Sequence, residues 1–187
     1  KVMTYFFIFF GPSFISQSSG TLYVSNFLKE TYPTTNSAVA SNVYLTNYSD
    51  FRTLRTSCEN KPLLIGFAGG LNYRKGLDTA IEVVNILNIK YKLNCKLLIA
   101  GGHLENRLSE KLKANNKIIR IMGVLRQEEM ENFFKSLDLY LQPSRAEGIP
   151  RAVLEAMSFG LPVVATTLPG FCEIIDEQNL ADCPQKL

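Results

Sequence analysis

Two glutamates, Glu147 and Glu155, stand eight positions apart in the stretch PSRAEGIPRAVLEAMSFGLPVVAT (143–166). A strand-like run ends at Gln142, Gly148 follows Glu147, and Pro150 sits where a first helical turn accepts proline. Backbone amides across this start (Gly148, Ile149 and the residues after Pro150, Val153 and Leu154 among them) are expected to face whatever docks at the strand end. A helix N-terminus of this kind suits phosphate or sugar hydroxyls. Gly148 leaves room for a ligand to approach the backbone. Glu147, just outside the helix, and Glu155, within it, reach one ligand from different heights, and carboxylates accept the paired hydroxyls of a sugar or a ribose. A purely structural role fits the same spacing: Glu147 favouring the helix dipole and Glu155 pairing with Arg151 one turn earlier.

The elements that must position these residues follow from apolar patterning. LLIGFAG (63–69), KLLIA (96–100), IIRIM (118–122), LYLQ (139–142) and PVVAT (162–166) are short apolar runs that predict buried strands. Between them, residues 76–92, 104–114, 127–137 and 150–159 carry apolar positions at helical spacing, and a last helix is expected near Gly170. Five β-α units in succession predict an α/β fold, a Rossmann-like parallel sheet with helices on both faces. In such sheets ligands lie beyond the carboxyl ends of the strands, so the loops that follow strands are where chemistry is expected. Residues 1–62 read differently. TLYVSN (21–26) predicts a strand, FLKETY a short helix, SAVASNVYLTN an extended segment, and SDFRTLRTSCENKP a polar loop. The division of the chain is placed at 55/56.

Composition excludes several classes. Twenty basic and 17 acidic residues leave a formal charge of +3, spread along the chain, which argues against nucleic-acid binding. The four cysteines, Cys58, Cys95, Cys172 and Cys183, form no CxxC pair, and the lone histidine, His103, is read as a loop residue after Gly101-Gly102. No metal site is expected, and the cysteines read as reduced thiols of a cytoplasmic protein. The apolar run VMTYFFIFFGPSFI (2–15) is broken by Gly11-Pro12 and too short to span a bilayer. It reads as core, with the apolar part of a signal peptide as the alternative.

The stretch around the two glutamates resembles the Glu-x7-Glu signature of the family 4 retaining glycosyltransferases. Glu147 and Glu155 occupy its two positions, within the matching text PS..EG.P...LEAM..G.PVVAT. FAGGLNYRKG (67–76) is similar to the strand-loop that brings an Arg and a Lys to the donor diphosphate in that family; Lys75 matches the lysine and Gly76 its glycine. A diphosphate needs a cation, and a lysine near a helix start supplies one; a solvated surface pair, Arg74-Lys75, is the structural alternative. One departure is clear: where the family commonly has an Arg, five or six residues before the Lys, this chain has Gly70 and Gly69. Arg74 is the residue placed to compensate. IIRIMGVLRQEEMENFFKSLDLYLQPS (118–144) also resembles the family, with Gly123 to Arg126 in the loop near the nucleotide base.

The resemblance, over about residues 20–180, implies one half of a GT-B double-Rossmann fold: a C-terminal donor-binding domain over 56–187, truncated at its closing helix, and a remnant of the N-terminal acceptor domain over 1–55. It implies transfer of a sugar from a nucleoside diphosphate sugar to a glycan or lipid-linked acceptor, with retention and no metal or other cofactor. Glu147 would be the catalytic residue that orients the donor sugar. Arg74, Lys75, Gly148, Ile149, Pro150, Val153, Leu154 and Glu155 would bind the donor. It implies work in the cytoplasm, at the inner face of the membrane through the missing N-terminal domain, in polysaccharide assembly, and an isolated chain without activity. The rival readings are a nucleotide-sugar epimerase of similar architecture, which would turn over donor without acceptor, and a non-catalytic nucleotide-binding module, which would bind donor without transfer.

Overall fold

The computed structural model describes residues 21–23, 26–31, 33–34, 36–39, 61–172 and 180–181. The chain divides into two compact units, 1–43 and 44–187. In the first, strand β1 (Thr21–Tyr23), helix α1 (Asn26–Thr31) and strand β2 (Ser37–Val39) follow in order, and β1 pairs with β2 in parallel. A strand, a short helix and an extended segment stand where they were expected, the helix beginning at Asn26; the parts of the expected segments at 24–25 and 40–47 lie outside the described residues. The apolar run 2–15, the polar loop before Lys61, Cys58 and Cys183 lie outside the described residues.

The second unit carries the parallel α/β sheet expected from the sequence. Its elements are β3 (Leu63–Ala68), α2 (Leu77–Ile89), β4 (Cys95–Ala100), α3 (Asn106–Ala114), β5 (Ile119–Gly123), α4 (Gln127–Ser136), β6 (Leu139–Gln142), α5 (Arg151–Ser158), β7 (Val163–Thr166), α6 (Pro169–Cys172) and β8 (Leu180–Ala181). The strand order is β5-β4-β3-β6-β7-β8, all pairs parallel. β8, only two residues long, has no counterpart in the sequence-based reading. Pro150 stands one residue before α5 as its cap, with φ −79°, rather than inside the helix.

Alternation along the strands decides which helices cover which face. Ile65, Phe67, Leu97 and Ile99 point to one side, where they pack with Leu77, Ala80, Ile81 and Val84 of α2 and Leu108 and Leu112 of α3. Their neighbours Leu64, Ala68, Leu98 and Ala100 point to the other, against Phe133 and Phe134 of α4, Val153 and Ala156 of α5, and Phe171. α2 presents its four at i, i+3, i+4 and i+7, α3 its two at i and i+4 and α5 its two at i and i+3, stripes that leave the opposite face of each helix to solvent. Each fully buried Leu, Ile or Phe stabilises by about 1.5–3 kcal/mol, so both faces are held by burial rather than by the connections.

The order has a consequence for the site. From β3 the chain moves outward through β4 to β5, then returns to the other side of β3 to lay down β6, β7 and β8. Adjacent β3 and β6 therefore send their outgoing loops in opposite directions, and the crevice between those loops is the topological switch point where open α/β sheets bind ligands. The two loops are residues 69–76 and 143–150, the segments that the sequence singled out.

Candidate functional site

The loop after β3 is shaped by its own backbone. Asn72 Oδ1 accepts from the Lys75 amide at 3.0 Å, and the Gly76 amide donates to Tyr73 O at 3.0 Å. Gly76, at φ +75° and ψ +27°, caps α2 in the left-handed region, and a Cβ there would overlap the carbonyl of Pro143. Glycine thus lets the two loops touch. Arg145 fastens them. Its amide donates to Arg74 O at 2.8 Å, its Nη1 donates to Tyr73 O at 2.8 Å, and its guanidinium grips both carboxylate oxygens of Asp78 at 2.8 Å. The Tyr73 ring lies between two guanidiniums, Arg145 at 3.7 Å and Arg107 at 4.2 Å from its centroid. Paired, stacked arginine forks of this kind lose little freedom for each bond they make.

This bracing brings the predicted charges together. Lys75 Nζ donates to Glu147 Oε1 at 2.5 Å, and Arg74 Nη1 lies 3.8 Å from Glu147 Oε2 while bonding Ala146 O at 3.0 Å. The Glu147 side chain is 6% exposed, that of Lys75 20% and that of Arg74 56%. Lys75 is therefore no solvated surface cation, whereas Arg74 is more than half exposed; both face one nearly buried carboxylate. Arg74 reaches the site from the solvent side.

Beneath Glu147 lies a polar seam in an otherwise apolar core. Ser144 Oγ donates to Glu147 Oε1 at 2.8 Å, Gln142 Nε2 donates to Ser144 Oγ at 2.9 Å, and Tyr140 OH donates to Gln142 Oε1 at 2.7 Å. The Ala68 amide donates to Tyr140 OH at 3.2 Å, and Thr166 Oγ1 donates to Ser144 O at 2.6 Å. Burial pushes the Tyr140 phenol far above its ordinary range; the bond from Ala68 opposes this, and the carboxylates of Glu155 and Glu147 add to the rise. Both glutamates of the pair thus act on the same hydroxyl.

Glu155 is half-buried on α5, and among the described residues its carboxylate has no hydrogen-bond or ion-pair partner. The pairing with Arg151 is not formed. Of the amides at the helix start, those of Val153 and Leu154 donate to Pro150 O at 3.0 and 3.3 Å, and Val153 itself is fully buried in the core. The amides of Gly148, Ile149, Arg151 and Ala152 remain without an acceptor among the described residues. His103 is exposed in the loop after β4, at φ +63°. Among the described residues no group of three His, Cys, Asp or Glu side chains is placed to hold a metal ion, and no helix is long and apolar enough to cross a membrane.

Sequence reasoning missed Tyr140, Gln142, Ser144, Arg145 and Asp78. A signal for the first three was present: they stand two apart in LYLQPS, so their side chains share one face of β6 and its extension.

Residues 55–184 match the model of a family described as glycosyl transferases group 1. The chain is 33% identical over 119 residues to the O-antigen biosynthesis glycosyltransferase WclY of Escherichia coli, covering 63% of this chain and 32% of that protein. It is 33% identical over 125 residues to the amylovoran biosynthesis glycosyltransferase AmsK of Erwinia amylovora, covering 63% and 31%. The chain spans about a third of the length of the curated relatives it matches. Among solved structures, the pneumococcal O-GlcNAc transferase GtfA, in complex with UDP and GlcNAc, superposes with a TM-score of 0.73 at 18% identity, covering 98% of this chain and 37% of that one.

Proposed function

The chain belongs to the group 1 glycosyl transferases, and from that premise we propose that it is the donor-binding half of a retaining enzyme that moves a sugar from a nucleoside diphosphate to a glycan or lipid-linked acceptor. The observation that carries this reading is the meeting of Lys75 and Glu147 at the switch point, with Glu155 left unpaired beside them. Residues 56–187 form the donor side and residues 1–55 belong to the acceptor side. Polysaccharide assembly is the setting that the relatives' names support, and work at the cytoplasmic face of a membrane is part of the same proposal.

In this reading Lys75, with Arg74, turns from Glu147 to the diphosphate and stabilises the charge that grows there as the glycosidic bond to phosphate breaks. The open amides of Gly148, Ile149, Arg151 and Ala152 add hydrogen bonds to phosphate and sugar. Glu147 accepts from the donor sugar's hydroxyls and holds the anomeric carbon toward the acceptor; Glu155 accepts from the ribose. The acceptor oxygen attacks the face from which the diphosphate leaves, and its proton departs with the diphosphate. Configuration is retained without an enzyme nucleophile or a metal.

The test is calorimetric titration of the chain, without metal, with UDP, GDP and ADP and their common sugar conjugates. Saturable binding of one nucleotide, weakened by Lys75→Ala and Glu155→Ala, is the expected result and identifies the base. Failure of all three nucleotides overturns the donor-site reading. Donor binding without transfer, once an acceptor domain is supplied, turns the assignment to a binding module; epimerised donor formed without acceptor turns it to an epimerase.

A further inference from the structure

Among the described residues the buried polar side chains are Gln142, Ser144 and Thr166, and all three lie at the ends of β6 and β7. Burying polar groups there, rather than leucine or valine, costs stability that a fully apolar core would retain. Deviations of this kind cluster where function requires them. Tyr140, Gln142 and Ser144 form a chain of bonds that starts on backbone and ends on Glu147, and Thr166 holds the Ser144 carbonyl beside it.

The direction of that chain follows from one fixed proton. The Ala68 amide can only donate, so Tyr140 OH accepts from it at 3.2 Å. The phenol's own proton then goes to the nearer of its two acceptors, Gln142 Oε1 at 2.7 Å rather than Ala68 O at 3.3 Å. This turns the Gln142 amide so that its NH2 faces Ser144 at 2.9 Å. Ser144, having accepted, donates to the charged and closer oxygen, Glu147 Oε1 at 2.8 Å, rather than to Lys75 O at 3.4 Å. Every proton in the sequence points toward Glu147.

We propose that Tyr140, Gln142 and Ser144 are positioning residues, a one-way hydrogen-bond relay that presents Glu147 as an oriented acceptor to the donor sugar. This rests on the reading of Glu147 as the sugar-orienting carboxylate. The relay holds one oxygen, Oε1, beside Lys75, and leaves Oε2 toward the loop that carries Arg74. When Lys75 turns to the diphosphate, the Ser144 bond remains to keep the carboxylate in place. The nucleotide's own contacts do not pass through the relay, so it governs sugar recognition and not nucleotide affinity.

The experiment uses the chain itself, its Tyr140→Phe variant, the apolar double variant Tyr140→Phe/Gln142→Leu, and Glu147→Gln as reference. Each is melted, then titrated with UDP, GDP and ADP and with UDP-glucose, GDP-mannose and ADP-glucose. The relay predicts that both variants stay folded at the titration temperature and bind the nucleoside diphosphate as before. Tyr140→Phe has a lowered melting temperature, because it leaves Gln142 Oε1 and the Ala68 amide without their partner. Their affinity for the sugar conjugate relative to the nucleotide alone falls by about fivefold, the worth of one net hydrogen bond. A merely structural role weakens both ligands together, and that result overturns the proposal. So does an unchanged affinity ratio in variants where Glu147→Gln changes it. If Glu147→Gln also leaves the ratio unchanged, or if no nucleotide binds the parent chain, the reading of Glu147 falls first and the relay with it.

Discussion

Replacing Gly76 by alanine tests how the site is assembled without touching any charge. The backbone at 76 is left-handed, with φ +75°. Holding alanine there costs about 1–2 kcal/mol. The added Cβ would overlap the Pro143 carbonyl, and a backbone atom has no rotamer by which to escape. Relieving the overlap to an ordinary C···O separation moves the two loops apart by on the order of 1 Å, at a further cost of about 1–3 kcal/mol. The sum, about 2–5 kcal/mol, lowers the melting temperature by roughly 4–20 °C in a unit of this size. The same displacement carries Lys75 away from the open amides of Gly148 and Ile149, with which it is read to hold the diphosphate, so nucleoside diphosphate affinity falls by about 10-fold or more, the loss of one charged hydrogen bond. Thermal melting followed by calorimetric titration reads both effects. A Gly76→Ala chain that melts within about 2 °C of the parent and binds nucleotide within about twofold refutes the claim that contact between these loops builds the site.

Other substitutions probe the same region in different ways. Lys75→Met leaves Glu147, whose side chain is 6% exposed, without its nearest cation; stability falls by about 1–3 kcal/mol and diphosphate affinity by about 10- to 100-fold, measured by denaturation and calorimetry. Arg145→Lys keeps the charge but loses the two-pronged grip on Asp78 and the stacking on Tyr73; the expected cost is about 1–3 kcal/mol in urea unfolding, and a neutral result would show that the fork is dispensable. Burial raises the Tyr140 pKa above the ordinary tyrosine value of 10.0, so above about pH 10 the unfolded chain loses a proton that the folded chain keeps. Its contribution is therefore complete below that pH and declines by up to about 1.4 kcal/mol per unit as pH rises further. Tyr140→Phe should remove this component, so the difference in stability between parent and variant changes with pH only on the alkaline side.

The sheet was legible in the sequence because its strands are unbroken apolar runs and its helices repeat apolar positions at a period of 3.6. Ile65, Phe67, Leu97 and Ile99, and the apolar stripe of each helix, needed no tertiary information.

 The order of the strands did need it, since nothing local says that β6 returns to pair with β3 instead of extending the sheet beyond β5. β8 was invisible because two residues carry no period. Glu147, Glu155 and Lys75 stood out through the text around them, but their mutual geometry did not. The contact between Lys75 and Glu147 joins residues 72 positions apart, and so does the support that Arg145 gives to Tyr73 O. Tyr140 and Gln142 were read only as parts of a strand, because a polar side chain in a short strand has the same spacing whether it meets solvent or a buried partner. Burial alone separates the two cases. Likewise, the amides of Val153 and Leu154 looked open from sequence, and only the position of the Pro150 carbonyl shows them occupied.

The strand order also bears on how the chain reaches its native state. β3, β4 and β5 with their helices form one run of sequence, and β6, β7 and β8 form the next; the seam between the two is the β3–β6 pairing. Lys75 belongs to the first run and Glu147 to the second, so their contact closes only after both have been laid down and joined. Pairings of such long sequence separation are entropically late events. Val124, 81% exposed in the link between the runs, marks a place where the chain could be cut and its two pieces mixed. Recovery of nucleotide binding on mixing would then report the docking of the halves, and a ligand that spans the crevice would act as a clasp on the last step of folding.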